Sequence, residues 1–171
     1  LTVYSSRGAN GIDGTIATAL GEALAFPQKP TTLLIGDLAT FHDLGGLHLV
    51  AVSERKGVLQ APFVIVVVDN NGGGIFEHLP ISSNERLFEK DFITPQETNL
   101  EKVISGFGLS CSRVFTHAEF YASLEDAYAR NGVSVVIAEV DRATTVQTRK
   151  QVWTTIASSL ETILSEREDF E

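Results

Sequence analysis

Cysteine is nearly absent. Cys111 stands alone in 171 residues, so no internal disulfide can form, and a small secreted scaffold stapled by disulfides is excluded. The composition suits a reducing compartment, with Cys111 read as a buried core thiol. Methionine is missing altogether, the initiator included. Leu1-Thr2-Val3-Tyr4-Ser5-Ser6 already read as a β-strand, so the chain is expected to be a piece of a longer polypeptide. Basic residues are also in short supply, 13 Lys and Arg against 22 Asp and Glu for a net charge of -9. They are scattered along the chain, whereas a nucleic-acid partner calls for clustered cations, so no nucleic acid is expected. No apolar run reaches the ~18 residues that a membrane helix needs. Nor does the N-terminus show the basic-then-apolar layout of a signal peptide. A soluble, cytoplasmic protein is expected. His42, His48, His78 and His117 lack zinc-ligand spacing with one another or with cysteine, and read as surface or capping residues.

What is present is the balance of one globular α/β domain, 43% hydrophobic and 20% charged, with one core as the default. Apolar, β-branched runs predict strands at Leu1 to Tyr4, Thr31 to Ile35, Phe63 to Val68, Arg113 to Thr116 and Val133 to Val140. The run Phe63 to Val68 does not alternate with polar residues, which predicts a central strand buried on both faces. Helical spacing predicts helices over Ile12 to Leu24, Leu44 to Val52, Asn99 to Phe107, Ala118 to Arg130 and about Thr145 to Arg167, the last ending in a solvated Glu-rich tail. Strand and helix alternate throughout. The fold class is therefore α/β, a parallel sheet built from right-handed crossovers with helices on both faces.

In such a sheet ligands bind beyond the carboxyl ends of the strands, and two ends stand out. Thr31 to Ile35 runs into Gly36-Asp37-Leu38-Ala39-Thr40, and Phe63 to Val68 into Asp69-Asn70-Asn71-Gly72-Gly73-Gly74. A carboxylate, an amide oxygen and carbonyls freed by a glycine turn form an all-oxygen set that suits Mg²⁺, with phosphate oxygens and water completing its shell. Gly36 lets backbone approach a phosphate, and the N–H groups of Leu38 and Ala39 at a helix start can point towards it. Taken singly, Asn-Asn-Gly-Gly is an ordinary turn and Gly-Asp an ordinary helix cap. Their joint placement on two strand ends favours a site. The Gly8-x-x-Gly11-x-x-Gly14 spacing is only a weak likeness to a dinucleotide fingerprint, and no ribose-binding acid follows it.

Gly36-Asp37 followed by Asn70-Asn71 resembles the thiamine-diphosphate signature, with Leu38 in place of its third glycine and an interval, residues 39 to 69, slightly longer than the general pattern. The polar stretch Ser53-Glu54-Arg55-Lys56-Gly57 is the place where a surface loop absorbs the difference. More specifically, three blocks resemble the 2-succinyl-5-enolpyruvyl-6-hydroxy-3-cyclohexene-1-carboxylate synthase (SEPHCHC synthase) family of the menaquinone pathway. These are Ser6-Arg7-Gly8-Ala9-Asn10-Gly11-Ile12-Asp13-Gly14, Gly36-Asp37-Leu38-Ala39-Thr40-Phe41-His42-Asp43 and Asn71-Gly72-Gly73-Gly74-Ile75-Phe76. The likeness continues through Asp141-Arg142 and the closing helix, and covers only that family's C-terminal, diphosphate-binding domain, here residues 1 to 171.

The resemblance implies a three-layer thiamine-diphosphate-binding fold and thiamine diphosphate with Mg²⁺ or Mn²⁺ as cofactors. Asp37 and Asn70 would ligate the metal by side chain and Gly72 by its carbonyl. Ile12 would be the apolar wedge beneath the cofactor, with Gly36, Leu38, Ala39, Gly73 and Ile75 also at the cofactor. Arg7 would grip a substrate carboxylate, as a guanidinium does bidentately, and Ile75, Phe76 and Leu79 would wall the reacting carbon. Outside the family, Ile12 reads equally well as a core residue, Arg7 as a surface ion pair, and the wall as a cap on the core. The implied activity is decarboxylation of 2-oxoglutarate and conjugate addition of the remaining unit to isochorismate, without loss of pyruvate. The activating glutamate belongs to a pyrimidine-binding domain of a partner subunit and has no counterpart here, so the chain alone is expected to be inactive and to self-associate. Two alternatives stay open: another thiamine-diphosphate carboligase of the acetolactate-synthase type, and a non-catalytic nucleotide-binding module.

Overall fold

A computed structural model describes residues 1–5 and 11–168. Four parallel strands, β1 (Thr31–Gly36), β2 (Pro62–Asp69), β3 (Cys111–Val114) and β4 (Gly132–Glu139), lie in the order β1-β2-β4-β3. Because side chains alternate across a strand, β2 feeds two layers. Phe63, Ile65 and Val67 turn to the face where α1 (Thr15–Ala25), α3 (Leu44–Arg55) and α5 (Leu100–Gly106) contribute Ile16, Leu20, Leu47, Val50, Leu100 and Ile104. Val64 and Val66 turn to the opposite face, beneath Phe120, Leu124 and Ala127 of α6 (His117–Tyr128). Helices thus cover both faces of a parallel sheet, the three-layer arrangement anticipated. Phe63 is fully buried, and truncating such a side chain to alanine costs about 3–5 kcal/mol. Cys111 is half-buried and packs against the larger cluster. Burial, then the nearby Glu101 charge, pushes its thiol up to about 11, with Arg113 opposing.

Local chemistry sets the element ends. Gly14, left-handed with φ 67°, offers α1 no side-chain cap. Asp43 supplies one from across the fold, its Oδ2 accepting the Ile16 N–H at 2.6 Å and the Ala17 N–H at 3.4 Å. Asp43 sits between α3 and a short helix, α2 (Asp37–His42), that starts directly after β1. β3 stops two residues before the predicted Thr116 because Thr116 instead caps α6. Its Oγ1 accepts the Glu119 N–H, and the Glu119 carboxylate accepts the Thr116 N–H, a reciprocal capping box. The terminal helix α7 (Arg142–Glu168) begins three residues earlier than expected, with Asp141 Oδ2 accepting the Thr144 N–H at 2.6 Å.

Two segments depart from expectation. Leu1 to Tyr4 form no strand, and Leu1, Val3 and Tyr4 are exposed. β-branched composition suits a pleated surface but does not itself provide a paired neighbour. Residues 74 to 93, left without a predicted element, coil through 3₁₀ turns at Gly74–His78 and Pro80–Ser83, the single-turn α4 (Glu85–Leu87) and a π-helical turn at Phe88–Ile93.

Candidate functional site

The carboxyl ends of β1 and β2 are neighbours, since Gly36 pairs with Val68, and the residues that follow them meet. Asp37 is only 2% exposed. Its Oδ1 accepts the Leu38 N–H at 2.8 Å and its Oδ2 the Gly72 N–H at 2.6 Å, so one carboxylate ties the end of β1 to the loop after β2. Burial raises its pKa most. The bonds from Gly72 and Leu38 pull it down, and the adjacent Asp69 carboxylate pushes it further up. An anion held dry beside a second carboxylate is an environment that a cation relieves.

The loop from Asp69 to Gly74 is fixed from several sides. Asn71 is left-handed at φ 58°. Its N–H donates to Asp69 Oδ1 at 3.2 Å, and its own Oδ1 accepts the Gln96 N–H at 3.2 Å. Gly72 has φ 130°, and a Cβ there would run into the Ile93 carbonyl. The Gly73 N–H donates to that same carbonyl at 2.7 Å. Gly72's own carbonyl accepts the Gly74 N–H at 2.9 Å and keeps a second lone pair. A Cβ on Gly74 would collide with the Asn70 amide. Held in this way, Asn70 Oδ1 is buried with no hydrogen-bond partner, the one such side-chain atom among the described residues. Leaving an acceptor so placed costs about 1–3 kcal/mol, and a bound cation would offset that cost.

The residues therefore fit a hard divalent metal. Among the described residues, no group of three or more His, Cys, Asp or Glu side chains converges on a possible metal position. The donors at hand are instead one carboxylate, one amide oxygen and one carbonyl, which leaves room in a six-oxygen shell for phosphate and water. Asp37 and Asn70 line a cleft of about 280 Å³ together with Asp69, Arg113 and Glu139.

Gly36 is not required by its backbone, since its φ is -84°, and a Cβ there would meet nothing within 4 Å. The space beside it at the β1 end is open. The Leu38 N–H is already engaged by Asp37, and the Ala39 side chain packs against the core. Gly73 is buried in the loop. Ile12 is half exposed just before α1, Ile75 is 74% exposed, and Leu79 is exposed as well. Phe76 is half-buried and edge-on to Phe92, with ring centroids 5.7 Å apart. Arg7 lies outside the described residues.

Sequence reasoning missed a charged node at the same end of the sheet. Asp69 and Glu139 are register partners, the last residues of β2 and β4. Arg113 of β3 bridges them, its Nη1 lying 2.8 Å from Asp69 Oδ2 and 2.8 Å from Glu139 Oε2. Desolvation opposes the charge on Arg113, but its bonds to Asp69 and Glu139 outweigh that and raise its pKa. The signal that could have found the node was a lone charge in each of three apolar runs. The strand order that joins them is not visible in sequence.

The profile of the family described as "Thiamine pyrophosphate enzyme, C-terminal TPP binding domain" matches residues 1–138. The 2-succinyl-5-enolpyruvyl-6-hydroxy-3-cyclohexene-1-carboxylate synthase of Oceanobacillus iheyensis is 34% identical over 160 residues, 94% of this chain and 26% of that protein. The enzyme of the same name from Sorangium cellulosum is 43% identical over 141 residues, 82% of this chain and 22% of that protein. The chain thus spans about a quarter of the length of the curated relatives it matches. Benzoylformate decarboxylase from Polynucleobacter necessarius shares the fold, with a TM-score of 0.59 and 18% identity over 75% of this chain and 23% of that one. A matching profile that takes in both strand ends and the loop between Asp69 and Gly74 leaves one conclusion: this chain belongs to the thiamine pyrophosphate enzymes, as their C-terminal TPP-binding domain.

Proposed function

We propose that residues 1–171 form the diphosphate-binding domain of a SEPHCHC synthase, which decarboxylates 2-oxoglutarate and adds the remaining four-carbon unit to isochorismate in menaquinone biosynthesis. The observation that carries the cofactor reading is the orphaned, buried Asn70 Oδ1 on a loop that the buried Asp37 carboxylate holds in place. Asp37, Asn70 and the Gly72 carbonyl would hold Mg²⁺ or Mn²⁺, and Gly36 would admit the diphosphate to the β1 end. The synthase assignment is supported by relatives of that name at 34% and 43% identity.

When bound, thiamine diphosphate supplies an electron sink for the pair released by decarboxylation of a 2-oxo acid. This chain's own residues position and shield. Ile12, exposed ahead of α1, would support the cofactor from below. Ile75 and Leu79 present apolar surface, and Phe76 is steadied by Phe92. Together they would keep water from the reacting carbon. Arg7 would bind a substrate carboxylate. The group that activates the cofactor would come from a pyrimidine-binding domain of a partner subunit, in a homo-oligomer in the cytoplasm, so the chain alone would turn over nothing.

The test is keto-acid preference in the complete enzyme containing this chain. Consumption of 2-oxoglutarate that depends on isochorismate is expected, with pyruvate a poor donor. Preference for pyruvate as donor would overturn the synthase reading in favour of an acetolactate-type carboligase.

A further inference from the structure

Asp37, Asp69, Asn70, Arg113 and Glu139 line one cleft, and their charges do not balance by composition alone. Asp69 and Glu139 end adjacent strands in register, where two like charges side by side are destabilising. Only Arg113 bridges them among the described ion pairs. It reaches across β4 from the far strand to place one nitrogen 2.8 Å from each carboxylate, both pairs being at least half shielded from water. Asp69 is the critical member. It precedes Asn70, its Oδ1 accepts the Asn71 N–H and its carbonyl accepts the Val140 N–H at 2.9 Å, so its orientation is transmitted to the loop that carries the metal donors.

We propose that Arg113 is a positioning residue for diphosphate binding: it draws the Asp69 carboxylate into the strand-end ladder and offsets one of the two negative charges there, so that Asp37 is the cleft carboxylate left for a metal to neutralise. Without Arg113 the cleft gains a negative charge. A phosphate-bearing ligand would be repelled, while a bare cation would bind as well or better. This opposition of sign separates the proposal from a packing role, because a loosened loop would lose both. The inference rests on the thiamine-diphosphate reading of the site.

The test is calorimetry on the complete enzyme, titrated with Mn²⁺ alone and with thiamine diphosphate at saturating Mg²⁺. For Arg113→Met, cofactor affinity is expected to fall by about tenfold or more, given the strength of charge interactions at such range in a partly buried site. Mn²⁺ affinity should hold or rise. Arg113→Lys should recover part of the loss, and the Arg113→Met, Asp69→Asn double variant most of it, because the charge that Arg113 balanced is gone. Equal weakening in the single and double variants, or a parallel loss of Mn²⁺ and cofactor, would overturn the proposal. Should Arg113→Met not fold, Asp69→Asn alone decides: cofactor affinity equal to or tighter than wild type supports the proposal, and a tenfold loss refutes it. If wild type itself fails to bind thiamine diphosphate with Mg²⁺, the site reading falls, whereas normal binding by both wild type and Arg113→Met removes only the role of Arg113.

Discussion

The carboxyl ends of β1 and β2 and the terminal helix α7 handle their surfaces in opposite ways. At the strand ends, the Asp37 carboxylate has two backbone donors, the loop is clamped against Ile93 and Gln96, and a single buried side-chain oxygen, on Asn70, lacks a partner among the described residues. On α7, Val152, Trp153, Ile156, Leu160, Ile163 and Leu164 are all exposed. Its start is tied down by Arg142, which pairs with Glu77 at 3.0 Å and Glu89 at 2.9 Å. In the first region every buried side-chain polar atom but that oxygen has a hydrogen-bond partner among the described residues. The second presents apolar surface that none of the described residues covers, so its residues should matter little to the chain's own stability. The contrast teaches that buried polar geometry, more than apolar content, marks where this domain is finished.

The largest effect should come from breaking the clamp. Gly72→Val forces a branched side chain into φ 130° and against the Ile93 carbonyl. A loss of about 3 kcal/mol or more in urea unfolding is expected from backbone strain and overpacking together. Next is Asp43→Ala, which strips the buried cap from α1 and should cost about 1–2 kcal/mol, with faster hydrogen exchange at Ile16 and Ala17. A full-length helix with unchanged exchange would show that the cap is not needed.

Asp37 gives a pH test whose sign is set by its raised pKa, caused first by burial. The folded state holds this proton more tightly than the unfolded state does. Its contribution to stability is therefore present in full below the unfolded carboxylate value and lost as pH rises through the folded one. The stability difference between wild type and Asp37→Asn, measured without metal, should thus shift in favour of wild type as pH falls through that window. A difference independent of pH, or one of opposite slope, would mean that the carboxylate is not held dry. The smallest effect belongs to α7. Leu160→Ser should change stability by no more than ~0.5 kcal/mol, and Trp153, the single tryptophan and 60% exposed, should fluoresce like a hydrated indole. A blue-shifted emission from the chain alone would erase the contrast.

Much of this layout can be read from the residues. Each of the four strands is anticipated, β1, β2 and β4 within a residue at either end, because a run such as Phe63 to Val68 has few other ways to be buried. Gly36-Asp37 and Asn70 to Gly72 could be placed at the carboxyl ends of two strands because each directly follows an apolar run, and the structure makes those strands neighbours. What could not be read depends on contacts between distant segments. Asp43 capping α1 spans 27 residues and Arg113 bridging to Asp69 spans 44, and neither pairing has a local pattern. The strand expected at Leu1 to Tyr4 failed for a related reason, since a suitable composition does not supply a partner. The helix start after Gly36 could be read from the Gly-Asp cap, but not the extent of α2, because six residues are too few to show a helical period.

The most direct test of the account is calorimetric titration of thiamine diphosphate into the complete enzyme, wild type and Asn70→Ala, with Mg²⁺ and with EDTA. Wild type should bind only with the metal. Asn70→Ala should bind at least about tenfold more weakly, while unliganded stability falls by no more than ~1 kcal/mol, because the lost amide oxygen had no partner to begin with. Tight binding by wild type in EDTA, or undiminished binding by Asn70→Ala, would contradict the assignment of this loop as the metal and diphosphate site.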